Sequence, residues 1–153
     1  MPSLSIERQS LKALLACFVT MVRWSIAPGA DYVNTVETGR LYAVPIGPGG
    51  DAGAAVQLGP PRRLDHPDGM RSHGSDSMLP VEGGSPGRLS ELRIAAGHAS
   101  LTTLREGFPD DAVAVTVVGQ SAYVLEAQWR ALAHDVQYPP KPFHATAVSL
   151  ARP

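Results

Sequence analysis

Forty-eight residues separate two copies of one pattern: Gly39-Arg40-Leu41-Tyr42-Ala43-Val44-Pro45-Ile46 returns as Gly87-Arg88-Leu89-Ser90-Glu91-Leu92-Arg93-Ile94, a shared G-R-L-x-x-x-x-I. A second register runs through three copies, Tyr32-Val33-Asn34, Leu79-Pro80-Val81-Glu82 and Tyr123-Val124-Leu125-Glu126, spaced 47 and then 44 residues apart. More faintly, Pro67-Asp68-Gly69-Met70 returns as Pro109-Asp110-Asp111-Ala112 at an offset of 42. A repeat of this length is one supersecondary unit that buries its apolar face against the next copy.

Helical repeats of similar length need long 3.6-periodic runs, and none follows residue 22. The 15 glycines and 14 prolines among 153 residues act in the same direction. The β-branched run Ala112–Val118, bounded by Asp110-Asp111 and Gly119-Gln120-Ser121, predicts a buried strand and a tight hairpin into residues 122–125. Residues 100–104 and 143–150 read as outer strands. The expected fold is all-β: a partial β-propeller of about three four-stranded blades, at about 18–59, 64–105 and 109–151. Residues 1–17 match nothing, and a short apolar N-terminal helix or strand is expected ahead of the blades.

Charge excludes some partners. Thirteen basic and 14 acidic residues leave a net charge of −1, so nothing favours nucleic acid or an anionic membrane. The apolar run at 11–22 is shorter than the roughly 20 residues of a membrane helix, and no span is expected. Arg8, Lys12 and Leu14-Leu15-Ala16-Cys17 imitate an export signal, but Lys12 leaves only residues 13–16 apolar before the cysteine. A buried segment is the preferred reading, with the cytoplasm ahead of export. Cys17 is the sole cysteine, which rules out an intramolecular disulfide and any multi-thiolate metal site.

From about residue 24 onward, four stretches resemble the C-terminal half of the gluconolactonase-like sugar-lactonase family, the senescence marker protein or regucalcin type. They are residues 31–42, 64–70, 81–89 and 112–126, and Pro67-Asp68-Gly69-Met70 is the most specific. The resemblance implies half of a six-bladed propeller, a metal-dependent lactone hydrolase and calcium as the divalent metal. It implies that Asp68 is both metal ligand and catalytic base toward water, as suits a hard cation that lowers the pKa of bound water. Read from the residues alone, Asp68-Gly69 is a turn. The sequence departs from the family at Thr20, where an asparagine ligand would stand. Its single asparagine, Asn34, lies on the following strand. One carboxylate holds calcium poorly, so the site is expected to be incomplete and the chain truncated.

Other constellations weigh less. His66 and His73 flank Asp68 at −2 and +5, on opposite faces of a strand. His98-Ala99-Ser100 and His144-Ala145-Thr146 imitate a two-histidine phosphoesterase, but their spacing of 46 is that of the repeat. Gly47-Pro48-Gly49-Gly50 is a loop without the lysine of a phosphate cradle. Pro139-Pro140-Lys141-Pro142 reads as a connector rather than a polyproline ligand, and Trp24 and Trp129 as core or channel residues, core being the commoner outcome.

Two functions of different class follow: a lactone hydrolase with an incomplete site, acting on a sugar lactone or other small molecule, or a non-catalytic propeller fragment that binds partners. Open blade edges predict self-association. The 42-residue offset predicts that Asp68 and Asp110 face one mouth, with Asp110 the more exposed.

Overall fold

The structure is a computed structural model that describes residues 24–25, 29–95, 98–132, 137 and 139–151. It is all-β, as the repeat pattern predicts. Strands β1 (Trp24–Ser25), β2 (Ala30–Asn34), β3 (Leu41–Pro45) and β4 (Val56–Leu58) form a first antiparallel sheet. Strands β5 (Pro67–His73), β6 (Ser77–Glu82), β7 (Gly87–Ala95) and β8 (His98–Phe108) form a second. Strands β9 (Ala112–Val118), β10 (Ser121–Glu126) and β11 (Ala145–Ser149) form a third. Each sheet runs back and forth in chain order, and none closes on itself.

The third sheet has three strands among the described residues where four were expected. After β10 the chain enters a helical turn, Trp129–Leu132, and then Pro139-Pro140-Lys141-Pro142, whose prolines lack the N–H that a ladder needs. The N-terminal helix or strand, Cys17, Thr20 and His134 lie outside the described residues.

Both G-R-L copies lead into the third strand of their sheet, with Leu41 opposite Asn34 and Leu89 opposite Val81. Period-2 alternation then sends side chains to two cores. Met70, Met78 and Leu92 pack with Tyr32 and Leu41 of the first sheet. Leu79, Val81 and Leu89 pack with Ala122, Val124 and Val148 of the third. The second sheet is therefore covered on both faces, and β6 is buried along its whole length. Among the described residues the third sheet is covered on one face only, so β10 alternates buried Ala122, Val124 and Glu126 with exposed Tyr123 and Leu125. For the same reason β9, expected to be a buried strand, is fully buried only at Ala112. Its hairpin turns at Gly119-Gln120 as expected.

The inner junction is tight. β9 packs against both β5 and β6, and β1 touches β5. A Cβ built on Gly69 would lie 2.6 Å from the Val113 carbonyl oxygen and 2.8 Å from Ala114 Cα. The glycine of the Pro67-Asp68-Gly69 segment thus lets two backbones approach.

Candidate functional site

Asp68 and Gly69 are not a turn. They lie inside β5, where the pairing with β6 slips by one residue between Pro67 and Met70. The pairing of β9 with β10 slips in the same way at Val113. Such a bulge bends the strand and re-aims the side chain it carries. Aligned on their bulges, the second and third sheets differ by 45 residues, so Asp68 corresponds to Val113 and Asp65 to Asp110.

One pair of backbone angles and three pairs of hydrogen bonds support that alignment. His66 and Asp111, each one residue before its strand, both have positive φ, 46° and 62°. The N–H of Gly83 donates to the His66 carbonyl at 3.0 Å and that of Ala127 to the Asp111 carbonyl at 2.9 Å. The N–H of Asp65 donates to Glu82 Oε2 at 2.8 Å, and that of Asp110 to Glu126 Oε2 at 2.8 Å. Ser90 donates its hydroxyl to Glu82 at 2.9 Å, and Thr146 donates its own to Glu126 at 3.2 Å.

These corners frame a cavity of about 330 Å³ where the sheets meet. Asp68 and His66 line it from the start of β5, Gly83 and Gly84 from the end of β6, and Asp111, Ala112 and Val113 from the start of β9. Val36, just after β2, and Trp129 complete the wall. Trp129 is 52% exposed, so it is a wall residue and not core. Asp111 Oδ2 accepts the Trp129 N–H at 3.0 Å and fixes the start of the helical turn. His66 Nδ1 lies 2.8 Å from Asp65 Oδ1.

Asp110 faces elsewhere. It lines a separate small pocket and pairs with Lys141, whose Nζ is 3.2 Å from both carboxylate oxygens. The carboxylate that shares the cavity wall with Asp68 is Asp111 and not the expected Asp110: at the true offset of 45, Asp110 is the counterpart of Asp65, while Asp111 is the counterpart of His66, which lines the same cavity. Asp110 is half-buried, as Asp68 is. Gln128 clasps the proline connector with both ends of its amide, accepting the Lys141 N–H at 2.8 Å and donating to the Lys141 carbonyl at 3.1 Å. His98 opens a fourth strand while His144 precedes a third strand, so the repeat does not explain their pairing. His144 Nε2 lies 3.1 Å from Glu126 Oε1.

Asn34 is fully buried and donates Nδ2 to the Asp68 carbonyl at 3.1 Å, while its Oδ1 is buried with no hydrogen-bond partner among the described residues. The strand that follows the family's asparagine position thus brings Asn34 to the backbone of Asp68. Among the described residues no three His, Cys, Asp or Glu side chains gather as a metal-holding group. Two carboxylates on one wall fall short of the about six to eight oxygens of calcium, so the described residues do not by themselves fit that ion.

Glu82 is the strongest electrostatic feature near the cavity. Arg62 binds it in a fork, Nη1 to Oε2 at 2.5 Å and Nη2 to Oε1 at 2.8 Å. Burial pushes its carboxyl up, and the Arg62 guanidinium, the Asp65 amide and the Ser90 hydroxyl outweigh that, so it titrates below its ordinary value. Sequence reading passed over Glu82 and Glu126 as ends of apolar segments, although both copies end in glutamate.

The fold and cavity define the class: an all-β chain of three stacked antiparallel sheets with a carboxylate-lined cavity at their junction. Compared with protein families, with curated proteins and with solved structures, the chain matches none.

Proposed function

We propose that the chain is three blades of a β-propeller and that the Asp68 cavity binds a small polyhydroxylated ligand of the sugar-lactone class. The propeller reading is supported by three meander sheets, with first strand beside first strand from β1 to β5 to β9. The ligand reading rests on one observation, that Asp68, Asp111 and the half-exposed Trp129 share a cavity wall. Carboxylates accept hydrogen bonds from hydroxyl groups, and an indole face covers the C–H face of a sugar ring. A cavity of about 330 Å³ suits a ligand of that size.

Hydrolysis is the second reading, carried by the Pro67-Asp68-Gly69-Met70 likeness to the sugar lactonases, in which Asp68 would act as base. Titration with D-glucono-1,5-lactone and with D-gluconate, each with and without calcium, tests both. Binding at a Kd of about 1 mM or tighter, weakened at least about fivefold by Asp68→Asn, supports the first reading. Calcium-dependent loss of the lactone, abolished by Asp68→Asn, supports the second. No binding of either sugar overturns the proposal.

A further inference from the structure

The packing of sheet on sheet is directional and repeats twice inside the chain. The face of the first sheet that carries Tyr32 and Leu41 receives Met70, Met78 and Leu92 of the second. The face of the second that carries Leu79, Val81 and Leu89 receives Ala122, Val124 and Val148 of the third. Glu82 and Glu126 occupy the same place in their sheets, so Leu79 and Val81 correspond to Tyr123 and Leu125. Leu79 and Val81 are fully buried, whereas Tyr123 is 37% and Leu125 42% exposed. Their cross-strand neighbours Thr116, Ala145 and Ala147 share that face, as does Val118, 64% exposed. Apart from Glu126, which is buried against the second sheet's side, β9, β10 and β11 contain no charged residue.

We propose that this face is a docking surface for a second copy of the chain, which presents the opposite face of its first sheet. That face carries the cross-strand pair Val33 and Tyr42, with Val44 beside them, all half-buried, and the buried Asp31 opposite Val44. It corresponds to the side by which the second and third sheets already receive their predecessors, so the contact continues an interface present twice within the chain. Head-to-tail contacts form either a filament or a closed ring, and two copies joined at both junctions close a ring of six sheets. The inference rests on the sheet register and not on the ligand reading, which it leaves untouched.

Sedimentation of the full chain at about 50 µM tests it. A dimer is expected, with its dissociation constant raised at least about tenfold by Leu125→Asp, and likewise by Val118→Lys should the first variant fold poorly. Circular dichroism of both variants at low concentration checks that the sheets persist. In a Cys17→Ser background, Ala147→Cys and Tyr42→Cys should form a disulfide only when the two variant chains are mixed. A monomer at that concentration overturns the proposal, as does a dimer that ignores both variants. Crosslinking of Ala147→Cys with itself also overturns it, since it would show third sheet against third sheet.

Discussion

Glu126 repeats Glu82 one sheet further along the chain: each is buried at the end of its sheet's second strand, and each accepts the N–H of the aspartate two residues before the preceding strand. A buried carboxylate with several donors ties a corner, the end of one strand and the next strand's hydroxyl together. The side-chain partners differ. Glu82 has the permanent cation of Arg62, whereas Glu126 has the imidazole of His144.

Removing either carboxylate leaves buried donors without an acceptor. Glu82→Ala strands the Asp65 N–H and the Ser90 hydroxyl, while the Arg62 head, partly exposed, turns to water. The expected loss is about 2–3 kcal/mol, a fall in Tm of roughly 5–10 °C. Thermal unfolding measures it, and a change of under about 0.5 kcal/mol would show that the corner holds without its carboxylate.

The same residue sets an acid limit. The Glu82 carboxyl titrates below its ordinary value when folded, so the folded chain binds fewer protons there than the unfolded one. Its contribution is complete above the unfolded value of about 4.3 and is lost as pH falls through the folded value. Melting curves from about pH 6 to about pH 3 should therefore converge for the parent and Glu82→Gln as the pH drops. Parallel curves would assign the acid loss to other carboxyls.

How much of this was legible follows from what repeats in the sequence. The two G-R-L copies and the three apolar segments mark third and second strands, because those strands are central and their side chains answer to a core on a fixed period. The inner strands β5 and β9 were set in the wrong register, by Pro67-Asp68 against Pro109-Asp110 instead of by their bulges. A bulge has no residue signature when one copy carries Asp68-Gly69 and the other Val113. That slip of three residues matched Asp110 to Asp68, whereas the bulges match it to Asp65, outside the cavity lining, and match Asp111 to His66, inside it. Trp129 was assigned to the core by residue type, and the helical turn that carries it to the wall has no counterpart after β6.

Gly69 offers a test of the inner junction that does not depend on any ligand. A methyl group there meets the Val113 carbonyl and Ala114 Cα, both backbone, and neither can rotate away. Gly69→Ala is expected to part β5 from β9 and to cost about 1–3 kcal/mol, more than the gain from a stiffer unfolded chain. Hydrogen exchange should rise first in β9. Unchanged stability would mean that the two strands are further apart than the fold requires.

The G-R-L glycines, alike in sequence, differ in what they do. Gly39 has φ of 60°, and a Cβ there would lie 1.9 Å from the Leu64 carbonyl oxygen, whose own N–H donates to the Gly39 carbonyl at 3.1 Å. Gly87 lies within β7, outside the positive-φ region, and its Cβ would be 3.0 Å from Phe108 Cβ. Gly39→Ala should therefore cost more than Gly87→Ala, roughly 3 kcal/mol or more against about 1–2. Denaturant titration of both variants orders them, and the reverse order would place the strain at the wrong copy.

Trp129 separates stability from binding. It is 52% exposed, is absent from both apolar cores, and its backbone N–H, which any residue keeps, is what Asp111 accepts. Trp129→Ala is expected to change unfolding free energy by less than about 0.5 kcal/mol, because an exposed ring on a cavity wall buries little on folding. A sugar ring stacked on it would lose that face, and affinity for D-glucono-1,5-lactone should fall at least about threefold to tenfold. Calorimetric titration beside a melting curve measures both quantities on one sample. A large drop in Tm with affinity unchanged would reverse the assignment, making Trp129 part of the frame and leaving Asp68 and Asp111 as the binding groups.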